Sequence, residues 1–104
     1  MPSTLILIGS SARTGATQDA MALAGHLRAQ GQDLGICFLQ DAAPMACREI
    51  GPRQPVGAAL YVLGEDLGLR GLRESDVTPG AKVVDHAELV DLMLSRYERV
   101  LGIF

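Results

Sequence analysis

Three short runs of this chain, Leu5 to Ile8, Leu34 to Leu39 and Ala58 to Leu63, are apolar at consecutive positions rather than alternate ones, and Gly or Pro bounds them. A strand with one wet face alternates. A strand that is apolar on both faces must be covered on both, as in a parallel sheet lying between two layers of helix. Two weaker runs follow, Lys82-Val83-Val84 and Val100 to Phe104.

The segments between these runs carry the helical period. From Ala16 to Gln30, Ala16, Ala20, Leu23, Ala24 and Leu27 share one stripe, while Gln18, Asp19 and Arg28 can face water. Gly31 supplies a stop. Asp85-His86-Ala87-Glu88 opens the last helix, with Asp85 as N-cap and Glu88 as its reciprocal partner three residues into the helix. Leu89, Val90, Met93, Leu94 and Tyr97 then form its expected buried stripe. A short helix is expected over Leu67 to Arg70. The crossover from Gln40 to Gly57 is broken by Pro44, Gly51, Pro52, Pro55 and Gly57, leaving room for two helical turns around Met45 to Ile50.

Strand and helix alternate, so the expected fold is α/β: a single three-layer domain over residues 1–104, with about five parallel strands and helices on both faces. A flavodoxin-like strand order, 2-1-3-4-5, is the expected topology. The chain has a formal net charge of -3 and Lys82 is its single lysine, which argues against a nucleic-acid partner and a polybasic membrane patch. The N-terminal apolar run is too short for a membrane span and lacks the basic residues that open a signal peptide. Cys37 and Cys47 are too few for a disulfide framework and lack the spacing of a zinc site. A reducing cytoplasm is therefore the expected compartment. Neither a cofactor nor a metal is expected.

In an open α/β sheet the chemistry sits outside the carboxyl ends of the strands. The first such loop holds Ser10, Ser11, Arg13, Thr14 and Gly15 and runs into a helix N-terminus, where exposed N–H groups can hold an anion. It lacks the Gly-Lys-Ser/Thr ending of a nucleotide-binding P-loop, and a capped tight turn accounts for the same residues. Gln40 and Asp41, Glu65 and Asp66, and His86 complete the strand-end rim. Adjacent carboxylates suit acid–base work or a metal, but Glu65 and Asp66 equally suit the cap of the short helix. His86 stands at a strand end and a helix start, and a structural role there competes with a ligand contact. Cys47, beside Arg48, is the candidate catalytic thiol: exposed near guanidinium groups it would lose its proton readily, whereas under the crossover it would be a small hydrophobe. Cys37 lies mid-strand and reads as packing.

The segment Leu60 to Leu72, with Glu65-Asp66 and the closing Arg70-Gly71-Leu72, resembles a stretch of the DsrH (TusB) proteins. Val83-Val84-Asp85-His86-Ala87-Glu88-Leu89-Val90 is similar to their aliphatic-Asp-Tyr-Ala-Glu-Phe-Val stretch, with His86 where Tyr is usual. Leu39-Gln40-Asp41-Ala42 looks like their Leu-Gln-Asp-Gly. The first forty residues look more like the DsrE (TusD) branch. The resemblance implies the DsrE/DsrF/DsrH-like fold and intracellular sulfur relay, in which persulfide sulfur passes between donor and acceptor proteins within homo- or hetero-oligomers of related subunits. The sulfur-carrying cysteine of the DsrE branch falls at about Leu63, where this chain has no thiol.

Three functions follow as expectations. The first is a sulfur carrier, a sulfurtransferase of the persulfide type, with Cys47 accepting sulfur and Arg48 lowering its pKa. The second is a non-catalytic structural subunit of such an oligomer. The third is a small phosphate- or FMN-binding module using the first loop, against which the scarcity of aromatic side chains counts.

Overall fold

The computed structural model describes residues 2–11, 14–47 and 57–104. Five strands, β1 (Ser3–Ile8), β2 (Asp33–Phe38), β3 (Ala59–Leu63), β4 (Ala81–Val84) and β5 (Arg99–Ile103), form one sheet. All four pairings are parallel. The helices are α1 (Gly15–Ala29), α2 (Gly64–Leu69) and α3 (His86–Asp91). Each of the five apolar runs became a strand, and the domain has the expected three layers.

The strand order is β4-β3-β2-β1-β5, which corrects the expected 2-1-3-4-5. From β1 to β4 each connection steps one place in the same direction. Right-handed crossovers therefore put α1, the segment after β2 and α2 on one face, and only the return from β4 to β5 carries α3 across the other. The core divides accordingly. Ala20, Ala24 and Leu27 of α1 and Leu67 of α2 pack with Ile6, Ile8, Ile36, Phe38 and Val62. Leu89 of α3 and Tyr97 pack with Leu5, Leu7, Cys37, Leu63 and Val84 on the opposite face. β2, buried from Leu34 through Phe38, is the central strand.

α1 starts one residue earlier than expected. The Thr14 hydroxyl caps it by accepting from the Thr17 N–H at 3.2 Å. Gly31 ends it with φ +83°, a conformation that suits glycine.

Of the two helical turns expected around Met45 to Ile50, Met45 and Ala46 close a 3₁₀ segment, Gln40–Ala46, which begins directly after β2, while Arg48, Glu49 and Ile50 lie outside the described residues. The early start depends on Gln40, which takes φ +50° and turns the chain at once. The stripe of the last helix also divides. α3 ends at Asp91 and the chain continues as a π turn, Leu92–Arg96, closed by the Tyr97 N–H donating to the Leu92 carbonyl at 3.2 Å. The wider turn keeps Leu89 and Tyr97 inside but leaves Val90 48% and Leu94 79% exposed. Tyr97 reaches the sheet because Gly35 opposite it has no side chain; a Cβ there would strike the Tyr97 hydroxyl. That hydroxyl pairs with the Tyr61 hydroxyl at 3.1 Å, and the Arg96 guanidinium stacks on the Tyr97 ring while binding Asp33 at 2.8 Å.

Candidate site at the strand-end rim

The chain leaves β3 toward one face of the sheet and β4 toward the other, so a crevice opens between their carboxyl ends. This is the position at which open parallel sheets hold ligands. A cavity of about 420 Å³ lies there, with Glu65, Glu74, Val83, Asp85, His86 and Glu88 among its walls. Glu65 Oε2 stands 3.2 Å from His86 Nδ1, joining α2 to the start of α3 across the crevice. Two of the surrounding carboxylates already have local work. Asp85 accepts from the Glu88 N–H at 2.7 Å and Glu88 accepts from the Asp85 N–H at 3.1 Å, the capping box read from the sequence. Glu88 also faces Lys82 Nζ at 3.5 Å. Glu74 comes from a single 3₁₀ turn, Glu74–Asp76, and no spacing signal in the sequence pointed to it. Among the described residues no three His, Cys, Asp or Glu side chains group as a metal set.

A second cluster joins the 3₁₀ segment to α2. Asp66 Oδ2 accepts from the Gln40 N–H at 2.6 Å, Arg70 Nη2 meets Asp41 Oδ1 at 2.8 Å, and Arg70 Nη1 donates to the Asp66 carbonyl at 3.2 Å. The expectation that Glu65 and Asp66 cap the short helix is corrected here. Both lie within the first turn of α2, which has no side-chain cap, and Asp66 instead caps the 3₁₀ segment that follows β2. The Leu39-Gln40-Asp41 and Glu65-Asp66…Arg70 motifs, far apart in sequence, thus hold one another. The strand-end segment Gly64 to Arg70 was expected at the rim, but nothing in the sequence gave Arg70 a role of its own there.

In the first loop the Thr14 hydroxyl donates to the Ser11 carbonyl at 3.1 Å and the Thr17 hydroxyl donates to the Ser10 carbonyl at 2.8 Å. These hydroxyls close the turn. Gly15 is exposed at the start of α1, and Arg13 lies outside the described residues.

Neither thiol is at the surface. Cys47 is 2% exposed, which corrects the exposed, readily deprotonated thiol expected of it. Its backbone donates to the Pro44 carbonyl at 3.0 Å and pairs with Val77, while the Thr78 N–H donates to the Ala46 carbonyl at 2.7 Å. The connection between α2 and β4 is thereby drawn against the end of the 3₁₀ segment. Burial pushes the Cys47 thiol above its ordinary value, and the charge of Asp76 adds to the shift. Arg48 lies outside the described residues. Cys37 is wholly buried in β2, as expected, and burial followed by the charge of Asp66 pushes its thiol up to about 12. Leu63, where a strand-end thiol would stand, is buried at the end of β3.

A parallel α/β sheet whose polar side chains gather at the strand ends is the class of protein that this fold and rim define. A family model described as "DsrH like protein" matches residues 15–98, most of the chain, and the chain belongs to that DsrH-like family. The match begins at Gly15, so β1 and the Ser10–Thr14 turn lie before it. The crystal structure of the ychN protein from E. coli superposes with a TM-score of 0.81 at 19% identity, covering 99% of this chain and 100% of that one, a likeness of fold. No curated protein matches. No helix among the described residues is long and apolar enough to cross a membrane.

Proposed function

We propose that this chain works in sulfur relay as a structural subunit of an oligomer of related chains, without itself carrying the sulfur. What supports the reading is one observation: both of its cysteines are buried, and both thiols are shifted toward the protonated, unreactive form. A persulfide carrier needs a thiolate that a donor can reach. In this reading related subunits supply the thiolate and this chain contributes the strand-end rim presented to them, which membership of the DsrH-like family supports.

Incubation of the native protein with inorganic polysulfide, followed by intact-mass spectrometry, tests the reading. The expected result is no added sulfur atom on either cysteine until denaturant is present. Rapid loading that disappears in Cys47→Ala would overturn it and restore the carrier assignment. Light scattering on the chain alone and after mixing with DsrE-like and DsrF-like subunits tests the second half. A chain that stays monomeric in both conditions would remove the structural role.

A further inference from the structure

We draw no further inference here: the strongest candidate, the crevice between the ends of β3 and β4 lined by Glu65, Glu74, Asp85 and His86, is a cluster of acidic side chains with no second observation to say what it would take.

Discussion

Gly35 and Tyr97 depend on each other where the covering layer meets the sheet. The tyrosine hydroxyl occupies the space a β-carbon would need. Gly35→Ala should therefore destabilise the fold by about 1–3 kcal/mol, the usual cost of overpacking, as read by urea denaturation. Tyr97→Phe should cost about 1 kcal/mol through the lost Tyr61 hydrogen bond, and should lessen the harm of Gly35→Ala in the double variant. The buried thiols give a pH dependence with a definite sign. Cys37 is raised from 9.0 to about 12, so the folded state holds its proton where the unfolded chain releases it. The stability it contributes is intact below the unfolded value and is lost as pH climbs through the folded one, at up to about 1.4 kcal/mol per pH unit within that window. Cys37→Ala should flatten the alkaline limb of a stability–pH curve, and an unchanged limb would contradict the assignment. Single residues were the scale at which sequence reading was weakest. Cys47 next to Arg48 has the look of a reactive thiol, but reactivity is decided by burial, and Cys47 is buried in a core cluster with Val77, thirty residues away, whose backbone pairs with its own.

The element that most repays testing is the 3₁₀ segment after β2. Gln40 sits in the left-handed region, and Asp66 holds its N–H there. Gln40→Gly should leave the fold unharmed or stabilise it by up to about 1 kcal/mol, because glycine adopts that conformation without steric cost. Asp66→Ala should cost about 1 kcal/mol, the scale of a lost helix cap, whereas Arg70→Ala, at a partly solvated ion pair, should cost less. Thermal melts of the three variants establish the order. In the last helix, Leu94→Gln should change stability by no more than about 0.5 kcal/mol, while Leu89→Ala should cost about 2–4 kcal/mol. Equal effects at both positions would mean that the π turn is absent in solution. The Asp85–Glu88 box was legible because a cap is a local pattern. The π turn was not, because an unbroken α-helix would have offered the same apolar residues and only the seat beneath Tyr97 selects the wider turn.

At the scale of the whole molecule, the strands and layers were legible while their order was not, since apolarity on both faces marks a strand as covered without naming its neighbours. The discriminating signal was nevertheless present. β2 is too uniformly apolar for an edge, whereas β4, short and carrying Lys82, has the character of one. The rim followed the same division: position at the strand ends could be foreseen, and the pairing of Gln40 with Asp66 across the gap between two connections could not. The placement of β5 beside β1 also has a consequence for vectorial synthesis. β1 leaves the ribosome before the other four strands of this sheet and acquires its second neighbour only from β5, so a nascent chain that stops after β4 displays the full length of β1 as an unfilled flank. Ribosome-bound intermediates of that length should be bound by chaperones and cleaved by proteases more readily than chains extended through Ile103.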